Sequence, residues 1–518
     1  MPWILSIISG LLIGFSFPRY GVSIFAWFAF VPLLLALRNS TNGKSYVYGF
    51  LTGIIANIII LYWVVVAMNK YGGINIIVSI IALILLSIIM SGLYYGTFTF
   101  IINLFGNASI VGEFIYVPVL WVLLEYIKTF LFSGFPWELL GYSQYRDLAL
   151  IQVSRFTGVY GVSFIIMLFN TLLYEIIVWW YDIERIRTAK YPWIFLKVIA
   201  VFLLITVSLV YGEIKMDSIN NAIKKTKATL NVSLIQGNID QSIKWNRSYQ
   251  SSTMAEYFSL TDRAIKLSHT DLVIWPETAT PFFFQSTSDY GAAMSDFVKT
   301  NHVYLLFGSP AYKFTHKGVE YFNSAFLMSP SGNILGRYNK RHLVPFGEYL
   351  PLKHVFFFLK KLTSMLGDFT PGKSNQLLHY DNVKAGILIC YEIIFPQLSQ
   401  QDSRDGANLL VTITDDAWFG DTSAPYQHLS MAVFRAVEND RFVVRAANTG
   451  ISAVISPTGK ILEQTKLFVP GFINYRVALI NTKTFYTLNG DLFVLICAVI
   501  FIVFVVVYAY KFMFIKKG

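Results

Sequence analysis

Three side chains that could together do acyl chemistry stand at the ends of apolar runs: Glu277 in "DLVIWPETATP", Lys340 in "ILGRYNKRHLVPFGEYLP" and Cys390 in "GILICYEIIFP". A thiol attacks an acyl carbon as thiolate, so it needs a neighbouring base, a cation or both. A carboxylate in a desolvated pocket takes the thiol proton and later delivers it to the leaving group. An ammonium and the backbone N–H after the nucleophile can hold the oxyanion. Taken singly, each residue has an ordinary reading. A free cysteine in an apolar strand is usually core, a carboxylate after Trp275-Pro276 suits a turn or helix start, and Lys340, with Lys353, Lys360 and Lys361 nearby, suits a solvated or lipid-facing charge. Spacing does not exclude a Cys–His pair using His342 or His428, and the residues alone slightly favour it. GxSxG, HExxH, P-loop and paired-cysteine motifs are absent and the seven histidines are scattered, so metal catalysis and nucleotide hydrolysis are disfavoured and no cofactor is expected.

Such residues need a rigid frame. From about 213 to 488, apolar runs of 5–7 residues alternate with polar stretches: "ATLNVSLIQGN", "DLVIWPE", "VYLLFGSP", "SAFLMSP", "AGILICYE", "NLLVTITDD" and "FVVRAAN" read as strands. Helix-like segments such as "YFSLTDRAIKLS" and "HLSMAVFRAVEND" lie between them, indicating one αβ domain with a sheet covered by helices. An internal echo, "SAFLMSPSGNILGRY" and "SAVISPTGKILEQ", suggests two hairpins of one sheet system.

The rest of the chain belongs in a membrane. The whole chain is 55% hydrophobic and 14% charged, with mean hydropathy +0.54, where roughly 25% charged residues is usual for a soluble globule. Apolar segments long enough to cross a bilayer fall near 3–18, 22–37, 46–68, 74–104, 111–132, 158–181, 192–212 and 491–512, about eight spans. This divides the chain into a membrane domain (1–212), a catalytic domain (213–488) and a terminal span with a basic tail (489–518). The start "MPWILSIISGLLIGF" has no basic region or cleavage signal and reads as a retained span. Arg38 and Lys44, then Arg185, Arg187 and Lys190, then Lys511, Lys516 and Lys517 fall on one side if the N-terminus is cytoplasmic, which puts 213–488 outside. The net charge of +11 sits largely in clusters beside apolar runs, favouring anionic lipid over nucleic acid. Glu125, near the outer end of the fifth span, reads as an interfacial residue in contact with water. Two cysteines, one of them Cys497 in the terminal span, are expected to be free.

In their order Glu, Lys, Cys, the three motifs resemble the carbon–nitrogen hydrolase (nitrilase) superfamily, an αββα sandwich with a Glu–Lys–Cys triad. With seven spans before and one after the domain, the chain is similar to the apolipoprotein N-acyltransferase family of diderm bacteria. Supporting stretches are "LIQGNIDQSIKWN", "WPETATP", "YNKRHLVPFGEYLP", "CYEIIFP", "TDDAWFGDTSAPYQHLS", "SGFPWELLGYSQY" and "GVYGVSF". The resemblance implies Glu277 as general base, Lys340 as oxyanion stabiliser, Cys390 as nucleophile and Glu348 as an assisting glutamate. It further implies that Tyr391 and Glu392 shape the pocket, that Trp245 is functionally important and that Trp418 lies on a loop near the entrance. Asp240 stands where the family commonly has proline.

The implied reaction is ping-pong. An acyl chain passes from a phospholipid, typically phosphatidylethanolamine, to Cys390, and then to the α-amino group of the S-diacylglyceryl-cysteine of an apolipoprotein, in the bacterial inner membrane with the catalytic domain periplasmic and both termini cytoplasmic. Two aromatic stretches, "ATPFFFQ" and "HVFFFLKKLTSMLG", are divided between core filling and, for the second, a lid dipping into the interface. The rival function is a membrane-tethered amidase acting on a small soluble amide with the same triad, the spans being only an anchor.

Overall fold

A computed structural model describes residues 1–105, 110–181, 191–286, 288–316, 318–351 and 368–515. The expected arm 354–367, the basic residues Arg185, Arg187 and Lys190, and Lys516 and Lys517 lie outside the described residues.

Twelve strands are present among these residues: β1 (Thr229–Gln236), β2 (Leu272–Ile274), β3 (Tyr304–Thr315), β4 (Gly318–Met328), β5 (Ile334–Asn339), β6 (Leu378–Tyr380), β7 (Val383–Ile389), β8 (Leu409–Thr414), β9 (Val443–Ala447), β10 (Ala453–Ile455), β11 (Ile461–Gln464) and β12 (Gly471–Ala478). They form two sheets, ordered β12-β1-β2-β3-β4-β5 and β11-β10-β9-β8-β7-β6. In each, three neighbours run parallel: β1, β2 and β3 in one, β7, β8 and β9 in the other.

The alternation within each strand builds the layers. Leu272 and Ile274 face Ile387, Ile389, Val411 and Ile413 in a core between the sheets. Val273 and Trp275 turn the other way, onto the helix Gln250–Leu267 through Tyr257 and Leu260. Leu388 and Leu410 likewise turn toward the helix Ala424–Asn439. Strands buried on both faces need continuous apolar runs, and covering helices on both sides complete the αββα sandwich. The two echoing segments form the hairpins β4–β5 and β10–β11, one at the edge of each sheet. The strands β6 and β12 and the helices Ser288–Asn301 and Pro396–Arg404 were not anticipated from sequence.

All eight apolar segments are helical. Among the described residues, six helices are long and apolar enough to cross a bilayer, and Pro2–Ser16 and Ser23–Leu37 are shorter apolar helical segments. Apolar side chains such as Ile77, Leu85, Phe195, Leu203, Leu495 and Val503 are exposed on them, as lipid-facing residues must be. The helix Tyr191–Lys225 continues past the apolar stretch that ends near 212 and leads into β1.

The helix Ala424–Asn439 joins the two parts. All its residues except Tyr426 are buried, because sheet residues lie beneath it and membrane-part residues lie above: Trp137 bonds Gln427, Tyr142 bonds Arg435, and Glu438 accepts from the Val159 N–H. Glu125 differs from expectation. It is 5% exposed, and its Oε1 accepts from Trp121 Nε1 (3.0 Å) and from the Leu140 N–H (2.6 Å). The chain after the helix folds back over Glu125 and removes it from water.

Candidate active site

Parallel strands deliver residues from their C-terminal ends to one edge of the sandwich. Glu277 follows β2, Cys390 follows β7, and Asp415 and Asp416 follow β8. Lys340 immediately follows β5, which pairs antiparallel with β4 and so brings Asn323 alongside: the Lys340 N–H donates to the Asn323 carbonyl at 2.8 Å. Close approach of backbones makes this edge compact. A Cβ at Gly308 would lie 2.5 Å from the Thr278 nitrogen and 2.6 Å from the Pro276 carbonyl, so only glycine fits beside the Glu277 turn.

Lys340 and Glu277 are both buried, which overturns the solvated reading of the lysine. The ammonium lies 3.0 Å from Glu348 Oε1 and 3.4 Å from Glu277 Oε1. Asn323 Nδ2 donates to the same two oxygens, at 2.8 and 2.7 Å. The other oxygen of Glu277 accepts the Asp415 N–H (3.0 Å), and that of Glu348 accepts the Val344 N–H (2.8 Å). Burial disfavours a charged Lys340, but Glu348, Glu277 and Cys390 outweigh it and carry its pKa up, so the lysine stays cationic.

Cys390 is free and half-buried. Its backbone has φ 51°, a left-handed conformation costing a non-glycine residue about 1–3 kcal/mol. This sharp turn from strand to 3₁₀ helix sets the cysteine at the end of β7, half-buried at the margin of the inter-sheet core. Burial pushes its thiol pKa up, Glu277 adds to the rise, and Lys340 opposes it. The thiol is therefore protonated at neutral pH and must surrender its proton to a base to react.

Neither histidine engages the thiol through a hydrogen bond. His428 Nε2 donates to the main-chain carbonyl of Cys390 (3.1 Å), while its Nδ1 lies 3.0 Å from Asp416 Oδ1. Arg445 holds the other oxygen of Asp416 at 2.6 Å. The arrangement braces the turn. His342 lies 3.8 Å, ring to ring, from Phe395 and 5.8 Å from Tyr391, and burial, reinforced by Lys340, lowers its pKa to about 4.

Glu392 is fully buried and works on the main chain. Its carboxylate accepts from the N–H groups of Ile389 (2.7 Å), Arg341 (2.6 Å) and His342 (3.1 Å) and from the Tyr338 hydroxyl, tying the end of β7 to the segment that carries Lys340. Tyr391 donates to the Gly134 carbonyl at 3.1 Å, linking the cysteine turn to the membrane part. Trp418 is 39% exposed and meets Tyr71 edge-on at 6.4 Å, on a loop against the membrane helices. Trp245 is half-buried in the turn after β1, one residue beyond a buried lysine, Lys244. "ATPFFFQ" divides as core: Phe282 and Phe284 pack between sheet and helix.

Sequence reasoning missed Asn323, Lys244 and the bracing role of His428, Asp416 and Arg445. A polar Asn within the apolar run "YFNSAFLM" was the available signal for the first. No group of three or more His, Cys, Asp or Glu suited to a metal occurs among the described residues.

Comparison with known proteins agrees over both parts. The carbon-nitrogen hydrolase family matches residues 231–483, and the family described as apolipoprotein N-acyltransferase N-terminal domain matches residues 9–172. The chain is 42% identical over 495 residues to a Geobacter metallireducens protein named apolipoprotein N-acyltransferase, covering 96% of this chain and 93% of that one. Proteins of the same name from Methylococcus capsulatus (31% identical, 94% and 92% covered) and Haemophilus influenzae (30%, 95% and 91%) are also similar.

Proposed function

The chain belongs to the apolipoprotein N-acyltransferase family, and from that premise we propose that it moves an acyl chain from a membrane phospholipid to the N-terminus of an apolipoprotein through a thioester on Cys390. The observation that carries this reading is the Lys340 ammonium held between the carboxylates of Glu277 and Glu348 at the strand edge that also presents Cys390.

In the first half-reaction Glu277 takes the thiol proton as sulfur attacks the ester carbonyl. Lys340 and the N–H after the nucleophile stabilise the oxyanion. The C–O bond breaks, the departing alkoxide takes the proton from Glu277, and a lysophospholipid leaves. In the second, the free α-amino group of the S-diacylglyceryl-cysteine attacks the thioester and gives a proton to Glu277. The C–S bond breaks, the proton returns to sulfur, and an amide remains. Glu348 holds Lys340, Glu392 ties the Cys390 turn to the segment after Lys340 in place of the pocket-shaping role expected for it, and Tyr391, Trp245 and Trp418 shape the approach. Phosphatidylethanolamine is the proposed donor.

The membrane-embedded architecture gives the chemistry a reason. Extracting a lipid tail costs roughly 0.8 kcal/mol per CH₂, and a site joined to the spans avoids most of that. The proposed setting is the bacterial inner membrane, with residues 213–488 on the periplasmic side and both termini in the cytoplasm. The tethered-amidase reading is disfavoured by the helix Ala424–Asn439, which packs against sheet and membrane helices alike, more than an anchor requires. Incubating the purified chain with phosphatidylethanolamine and a diacylglyceryl-cysteine peptide tests the proposal: it expects equal amounts of lysophospholipid and N-acyl peptide. Release of free fatty acid without peptide acylation would point to hydrolysis instead.

A further inference from the structure

Lys244 is 1% exposed and lies in the turn after β1, beside Trp245 and 33 residues before Glu277. A buried ammonium is costly to desolvate and persists only where paired and hydrogen-bonded. Lys244 finds its partners on both sides of Glu277. Its Nζ donates to the Glu277 main-chain carbonyl at 3.2 Å. It also forms an ion pair with the carboxylate of Asp415, whose own N–H is the donor to Glu277 Oε2.

The lysine thus grips the base at its backbone and grips the residue that orients the base's carboxylate. The residue after the base, Thr278, has φ 47°, so the turn that carries Glu277 is strained. Asn448 extends the clamp: its Nδ2 donates to the Asp415 carboxylate (3.2 Å) and to the Ile239 carbonyl (2.8 Å), and its Oδ1 accepts the Ile239 N–H (2.9 Å). The turn bearing Lys244 is thereby tied to the ends of β2 and β8.

We infer that Lys244 is a positioning residue for Glu277: it fixes the carboxylate with one oxygen on the Asp415 N–H and the other on Asn323 and Lys340. The inference rests on Glu277 acting as the base. It assigns Lys244 no contact with substrate, which separates it from Lys340. Displacing a catalytic group by about 1 Å can cost a hundredfold in rate, so the effect belongs in the acylation rate constant and not in lipid binding.

The test is the rate of acyl-enzyme formation on the full chain in detergent, by quenched intact mass spectrometry over a range of phosphatidylethanolamine concentrations. Lys244→Met should lower the rate at saturating lipid on the order of a hundredfold and leave the half-saturating concentration within about twofold of the parent value. Asp415→Asn, which removes the ion pair and keeps the N–H, should show the same split and serves if Lys244→Met does not accumulate. An unchanged saturating rate, a loss confined to the half-saturating concentration, or a loss that vanishes after normalising to folded protein would overturn the inference. Absence of any adduct on the unmodified chain would instead sink the thioester reading beneath it.

Discussion

The ε-ammonium of Lys340 stands 3.4 Å from Oε1 of Glu277, and Asn323 donates to that same oxygen at 2.7 Å. A lysine this deeply buried is held charged by the carboxylates around it. Those carboxylates in turn depend on it. Lys340→Ala leaves Glu277 and Glu348 facing one another with one cation fewer, and breaking a buried pair typically costs about 3–5 kcal/mol. Thioester formation should fall by at least about 10²-fold, read as adduct yield over time. Wild-type yield would remove Lys340 from the mechanism.

Glu392→Ala should damage structure and activity together. Its carboxylate serves three main-chain N–H groups on two segments, one ending in Cys390 and one following Lys340. Each buried donor left without a partner costs about 1–3 kcal/mol, so thermal unfolding in detergent should shift down by several degrees, with a parallel loss of acylation. A large activity loss at unchanged stability would argue for direct contact with substrate instead.

His342 makes stability fall in acid. Its pKa in the folded protein is about 4, held down by burial and Lys340, against about 6.5 in an unfolded chain. A depressed histidine favours folding fully above the unfolded value, and its contribution is lost as pH falls from about 6.5 to 4, because the unfolded state binds the proton first. His342→Phe should flatten the melting-temperature profile across that window. An unchanged slope would show that other groups govern it.

Cys497→Ala should be nearly silent in acylation. Cys497 is buried in the terminal helix, away from the strand ends, and forms no disulfide. Losing its sulfur leaves a small cavity, a stability cost of about 1 kcal/mol. Loss of acyl transfer in this variant would mean that the terminal helix does more than pack.

Strands buried on both faces announced themselves by unbroken apolar runs, and the residues that interrupt or end those runs, Glu277, Lys340 and Cys390, were visible for the same reason. The short edge strand β6 and the polar-flanked β12 carry too little apolar signal to stand out. Lys244 was illegible because its partners are some 30 and 170 residues away, and only the folded chain brings them together. Glu125 misled because hydropathy locates a helix end without revealing the loop that covers it. His342 and His428 could be separated from catalysis only by geometry, since one packs on Phe395 and the other bonds a carbonyl.

The most direct measurement is intact mass spectrometry of the purified chain after exposure to phosphatidylethanolamine without acceptor, followed by hydroxylamine and peptide mapping. The proposed mechanism expects one acyl mass on Cys390, released by hydroxylamine and absent from Cys390→Ala and Glu277→Ala. A folded protein that carries no adduct, or an adduct that persists in Cys390→Ala, would contradict it.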